Sequence, residues 1–288
     1  MNPDATTRLQ QAIAGGVIGN LMSPSWSGTP DWPAAQRALQ DGADIDASLI
    51  CATGWTLLAR ACRWNRMDVV RWLLDRRSDP LRASKDGRGY RPLVEAVVQG
   101  RTELVRLLLD HVAGRKSADL CTALLHAAAS RSVHADVASM LLAHGANPNA
   151  RNVEGTTALM FAVWTDKVAT AIVLLDHGAD PNAMDRRSRP VLSHALHGGH
   201  QEQVRLLIDR GADPAAVTPN GQTIPEALAS ADDTPALAAM DQELADPRHA
   251  AARRRLLARL TADQRLAWLP KSCIAEAAAK TATCRRRP

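Results

Sequence analysis

The chain has 288 residues, 46% hydrophobic and 23% charged, which is enough apolar surface to bury a core; only 3% are aromatic, as in closely packed helices of Ala, Leu and Val. No apolar run approaches the roughly 18 to 20 residues of a spanning helix, and the start, MNPDATTRLQQ, has no basic region followed by an apolar stretch, so neither an integral membrane protein nor a classical secretory one is predicted. The net charge of +5 is uneven: from Arg248 onward there are 11 Lys or Arg against 2 acidic residues, while the remainder carries 24 basic against 28 acidic. Five cysteines, an odd number with no CxxC pair, argue against a disulfide framework or a structural zinc site and fit reduced thiols in a cytoplasmic protein, export by a signal-less route remaining open.

In chain order, the pattern predicts a helix QQAIAG (10–15), then an insertion GVIGNLMSPSWSGTP carrying Trp26, Pro24 and Pro30, then a helix DWPAAQRALQ (31–40) ending in DGADIDA (41–47). From there a unit repeats. GWTLLARAC (54–62), GYRPLVEAV (89–97), GTTALMFAV (155–163), SRPVLSHAL (188–196) and GQTIPEALA (221–229) are the first halves. DVVRWLLD (68–75), ELVRLLLD (103–110), DVASMLLA (136–143), TAIVLLD (170–176) and EQVRLLID (202–209) are the second halves. HGANPNA (144–150), HGADPNA (177–183) and RGADPAA (210–216) close the clearest copies, with Gly145, Gly178 and Gly211 spaced 33 apart. Upstream the closing phrase decays to RSDP at 77–80, and Val112 falls where a glycine is expected. The fourth copy, CTALLHAAASRSVHADV, has one or two extra residues between its helices.

Each unit has two short amphipathic stripes with a break between them, and none can bury its apolar face alone, so the stack is the folding unit. Thr157 and Thr223 are placed to cap helices, Gly199 to end a first helix and Gly211 to supply positive φ after a second. Asp44, Asp180 and Asp213 recur at one phase and are assigned to turn hydrogen bonds. Pro225 in the seventh first helix and ALAAMDQEL after it suggest a terminal capping unit. Asp246-Pro247 reads as a helix start, followed by Arg253, Arg254, Arg255 and Arg259 around Leu256, Leu257 and Leu260.

The phased strings resemble the ankyrin repeat, with its G-x-T-P-L-H-x-A start, V-x-L-L-L second helix and G-A-D-x-N-A end, over roughly residues 34 to 230. The resemblance implies an all-α ankyrin-repeat solenoid of helix-turn-helix repeats, about six to seven of them, with a C-terminal helical extension. The expected organisation is an N-terminal helix and inserted loop over 1–33, the array over 34–246 and a basic extension over 247–288. It also implies a protein-protein interaction scaffold, with a partner protein on the concave groove. The family's variable positions, carried over residue by residue, are Trp55, Arg63, Trp64, Tyr90, Trp164, Arg189 and His197 as partner-binding residues. Arg151, Glu154, Arg186 and Arg187 form the rim. Trp and Arg suit such a surface because they give large contact area and a polar handle.

Other constellations read as structure. Trp72 takes a core Leu position; His194, His197 and His200, three apart, read as frame histidines rather than metal ligands; Cys62 and Cys121 lie on small apolar faces. No GxSxG, HExxH or P-loop occurs, so no enzyme, cofactor or catalytic residue is expected. The alternative is an adaptor, effector or regulator whose basic C-terminal tail recruits a second protein, nucleic acid or an anionic membrane.

Overall fold

A computed structural model describes residues 3–16, 28–49, 54–83, 91–112, 118–130, 135–216, 223–224, 226 and 234–259. Trp26, Tyr90, the extra residues of the fourth repeat and the arginine tail beyond Arg259 lie outside them. The described residues are helices joined by tight turns, with isolated antiparallel bridges at Ser48–Thr56, Arg151–Thr157 and Met184–Pro190. No described helix is long and apolar enough to cross a membrane.

The chain forms two compact units, Met1–Ala150 and Arg151–Pro288. The first holds α1 (Pro3–Ile13), α2 (Trp32–Gln40), α3 (Leu57–Arg63), α4 (Met67–Asp75), α5 (Pro92–Val98), α6 (Thr102–Asp110), α7 (Ala118–Ala129) and α8 (Ala135–Ala143). The second holds α9 (Ala158–Trp164), α10 (Val168–Asp176), α11 (Val191–His197), α12 (Gln201–Asp209), α13 (Thr234–Ala245), a 3₁₀ turn Pro247–His249 and α14 (Ala250–Arg259). First helices pack on first helices, α3 on α5 and α5 on α7, then α9 on α11; second helices do the same, α6 on α8 and α10 on α12. The repeat is therefore helix-turn-helix, as the sequence periodicity requires.

Local chemistry explains the boundaries. Thr56 and Thr157 Oγ1 accept hydrogen bonds from Ala59 N and Met160 N at 3.2 and 3.3 Å, capping α3 and α9. Asp31 caps α2 by accepting from Ala34 N at 3.0 Å, with Pro33 in its first turn. Two of the second helices each bury a pair of apolar doublets: Val69, Val70, Leu73 and Leu74 on α4, Leu104, Val105, Leu108 and Leu109 on α6. The matching first helices, α3 and α5, bury Leu58, Ala61 and Cys62, and Leu93, Ala96 and Val97. Burial pushes the Cys62 thiol far up, so it behaves as a small apolar residue.

The closing phrase has one geometry. Ala43, Ala146, Ala179 and Ala212 N–H donate to the carbonyls of Ala38, Leu141, Leu174 and Leu207, the six-to-one bond of a Schellman motif, across Gly42, Gly145, Gly178 and Gly211 at φ between 84 and 91°. In the second repeat the same bond, Ser78 N to Leu73 O, passes over Arg77 at φ 65°. The recurring Asp or Asn then turns the chain: the Oδ1 atoms of Asp44, Asp79, Asn147, Asp180 and Asp213 accept from the N–H two residues on, at 2.8 to 3.0 Å. Neighbouring repeats are stapled here too, because Asn182 Oδ1 accepts from Asp213 N at 2.7 Å and Asp46 Oδ1 from Ser78 Oγ at 2.6 Å.

Trp72 departs from the expected core position. It is half-buried and stacks on Trp32 with centroids 5.3 Å apart, and the Arg76 guanidinium lies 4.0 Å from its ring. The ring is structural, but it clamps α4 to α2 instead of filling the interior.

Candidate functional site

In the first unit, α3 and its turn carry Trp55, Arg63 and Trp64. The expectation that Trp55 presents its ring is corrected: the ring is only 6% exposed, with the Arg60 and Arg63 guanidiniums 4.8 and 5.5 Å from its centroid. Arg63 also lies 5.5 Å from the Trp64 ring and donates to Glu95 Oε2 at 3.2 Å. Glu95 is buried, and that burial raises its carboxyl pKa against the opposing pull of Arg63 and Arg60. What this face offers is therefore Arg63 held between two rings and a carboxylate, beside a half-buried Trp64. Arg60 and Glu95 were missed from sequence because each looks like a filler residue on an apolar helix.

In the second unit two hairpin fingers present their tips. On the finger 151–157, Asn152 Oδ1 accepts from Glu154 N and Thr156 N at 2.9 and 2.8 Å. On the finger 184–190, Asp185 does the same 33 residues later, accepting from Arg187 N and Arg189 N at 2.8 and 2.9 Å and from Arg189 Nε at 2.8 Å. Burial alone would raise the Asp185 carboxyl pKa; the hydrogen bonds from Arg189 and Arg187 overcome it and hold the group below the usual carboxylate range. Arg186 N donates to Glu154 O at 3.2 Å and Arg151 Nη1 donates to Met184 O, so the fingers are tied to each other.

Between these fingers and α9 lies a cleft of about 490 Å³, walled by Val153, Met160, Phe161 and Trp164 on one hand and by Glu154, Arg186, Arg187, Arg189 and His194 on the other. A smaller hollow of about 200 Å³ shares Trp164, Arg189 and His194 and adds Ser193, His197 and Gly198. Trp164 is 64% exposed and Val153 80%. Of the residues singled out from sequence, Trp164, Arg189, His197, Glu154, Arg186 and Arg187 thus meet at one place, while Arg151 serves as a strut between the fingers. Val153 was missed, although an apolar residue in the polar turn Asn152–Glu154 was a usable signal.

The histidines divide. His200 is in frame, preceding α12 with Nδ1 3.6 Å from Asp166 Oδ1. His194, expected to be a frame residue, lines both hollows, and His197, expected at the partner surface as well as in the frame, lines the smaller one. Burial, then the Arg189 charge, lowers the His194 pKa, and its Nε2 is buried with no hydrogen-bond partner, 3.7 Å from Asp185 Oδ2. Ser193 Oγ is 3.4 Å from His197 Nδ1, the spacing of a nucleophile and its base. Yet Nδ1 is 2.8 Å from the Ser193 carbonyl, so it carries the proton and donates; it cannot accept one from the hydroxyl. Among the described residues no group of three His, Cys, Asp or Glu is placed to hold a metal ion.

Comparison with known proteins bears on the repeat fold. The model for ankyrin repeats matches three copies over residues 31–119 and 113–185, more than half of the chain. The human BCL-6 corepressor-like protein 1 is 34% identical over 110 residues, 38% of this chain but only 6% of that protein's length. Among solved structures, the ankyrin repeat domain of Bcl-3, a member of the IkappaB protein family, superposes with a TM-score of 0.60 at 24% identity, covering 76% of this chain and 92% of that one. An ankyrin repeat domain from Acinetobacter baumannii AYE gives 0.55 at 21% identity, over 65% and 96%. These structural likenesses speak to the fold alone.

Proposed function

From the premise that the chain belongs to the ankyrin repeat family, whose arrays generally mediate protein-protein interaction, we propose that it is a scaffold whose partner protein docks on the first-helix and finger surfaces. In the first unit the contact residues are Arg63 and Trp64, with Tyr90 assigned by its repeat phase alone. In the second they are Trp164, Arg189 and His197, rimmed by Glu154, Arg186 and Arg187. The observation that carries this reading is the exposure of Trp164 and Val153 over a cleft whose base is rigidly hydrogen-bonded. A large ring left in water on a fixed frame gives contact area at little ordering cost on binding. Trp55 enters the proposal as the ring that holds Arg63 in place.

A second reading draws on the charge of the C-terminal segment, where 11 Lys or Arg stand against 2 acidic residues. There the tail recruits another protein, nucleic acid or an anionic membrane.

Capture from native lysate separates the two, using the wild type, a Trp64→Ala/Trp164→Ala variant and a chain ending at Ala245. A protein lost with the tryptophans but kept by the shortened chain supports the scaffold. Loss on shortening alone, or recovery of nucleic acid alone, puts the function in the tail.

A further inference from the structure

We infer that the cleft beside Trp164 takes a short acidic segment of the partner that carries one large apolar side chain. This rests on the scaffold reading and names the chemistry of what that surface binds. The apolar half of the requirement comes from the wall. Trp164 and Val153 stand clear of their neighbours, with Met160 and Phe161 behind them, and the volume of about 490 Å³ accommodates one large side chain with its flanking backbone.

The acidic half comes from the finger 184–190. Arg189 is engaged by Asp185, 2.8 Å from its guanidinium, and Asp185 is in turn saturated by the finger's own N–H groups. Arg186 and Arg187 are exposed, and neither has a carboxylate at ion-pair distance among the described residues. The open charge of that finger is therefore positive where it borders the cleft, and a planar guanidinium there can hold a carboxylate through two hydrogen bonds. Glu154, on the other finger, sets the polarity: acidic side chains of the segment belong beside Arg186 and Arg187, and the apolar one against Trp164.

A phosphate polymer fits less well. Nucleic acid is tracked by a row of cations and stacks its bases on several rings. Here two free guanidiniums share one finger with a single exposed ring, and Glu154 faces the same space.

The test is selection from a library of short random peptides on the immobilised full chain. Parallel selections use the exposed-site variants Arg186→Glu/Arg187→Glu and Trp164→Ala, with Arg186→Gln/Arg187→Gln as a second charge variant and thermal melts as the folding control. A selected peptide is then labelled and its affinity measured against oligothymidylate and phosphatidylserine vesicles as competitors. The expected result is enrichment of Leu, Phe, Trp or Met flanked by Asp or Glu, with at least about ten-fold weaker binding to each folded variant and to the peptide's Asn/Gln counterpart. Absence of enrichment, enrichment without acidic residues, unchanged affinity in the variants, or tighter binding of oligothymidylate or vesicles would overturn it. A lysate partner lost on Trp164→Ala yet retained by the arginine reversals leaves the scaffold standing and removes the acidic assignment. A partner indifferent to both removes the cleft, and one that also survives Trp64→Ala/Trp164→Ala removes the scaffold reading as well.

Discussion

The turn after α4 shows how much one side chain can matter in a repeated backbone. Gly42, Gly145, Gly178 and Gly211 take the left-handed conformation at no steric cost, but Arg77 is held there at φ 65°. The Schellman bond from Ser78 N to Leu73 O is kept at 3.1 Å, so the repeat imposes its geometry on an ill-suited residue. Arg77→Gly is expected to stabilise the chain by up to about 1 kcal/mol in urea unfolding; a loss of stability would mean the arginine side chain supplies something the backbone argument omits. Asp241 is a second case. Burial pushes its carboxyl pKa up to about 6, Arg253 opposing, and its Oδ1 is buried without a hydrogen bond. Since the fold favours the protonated acid relative to an unfolded value of about 3.9, stability from this group is fully present below about pH 4 and is lost as the pH rises through about 6. Asp241→Asn should therefore raise the melting temperature near neutral pH and leave it unchanged below about pH 4.

Helices and turns follow from sequence wherever the cause is local. Thr157, Asp31-Pro33 and the Gly-Ala-Asp/Asn phrase state their own caps and turns, and the doublets of α4 and α6 state which face is buried, so the array is legible residue by residue. What escapes is contact across repeats. Trp55 looks as available as Trp164, yet Arg60 and Arg63 lie over its ring, with Glu95 drawn in from 32 residues away, and it is buried while Trp164 is left exposed. The C-terminal element hides a similar tie. His249 is buried, 2.7 Å from the Glu243 carbonyl through Nδ1 and 2.6 Å from Asp209 Oδ1 through Nε2, the latter 40 residues distant. Burial alone would lower its pKa, but two acceptors facing both ring nitrogens favour the imidazolium and raise it. With the folded value above the unfolded one, this stabilisation is complete below the unfolded pKa and disappears as the pH rises through the folded pKa. Amide exchange in α14 is expected to quicken above neutral pH after correction for intrinsic rates, and His249→Gln should remove that dependence. An α14 equally protected at both pH values would mean that Leu256 and Ala252, both buried, hold the helix without the histidine.

At the scale of the molecule, stacked repeats separate framing from recognition: the turn and core residues are fixed by their neighbours, and the fingertips are left to vary. Charge is divided along the chain in the same sense, because the basic excess lies from Arg248 onward and the remainder carries slightly more acid than base. The two functional readings therefore differ in their response to salt. Two rim arginines, Arg186 and Arg187, pair with carboxylates at a contact anchored by Trp164, so between about 50 and 200 mM salt partner affinity should weaken by less than about ten-fold. A tail neutralising some 6 to 10 phosphates would lose about 10³ to 10⁵ over the same interval. Titrating the captured partner at both salt concentrations, with the full chain and with the chain ending at Ala245, measures which regime holds. A shallow slope shared by both chains is the expected outcome, because the cleft residues all precede the cut. A steep slope that vanishes on shortening would instead assign recognition to the arginines, and the exposed ring of Trp164 would then need another explanation.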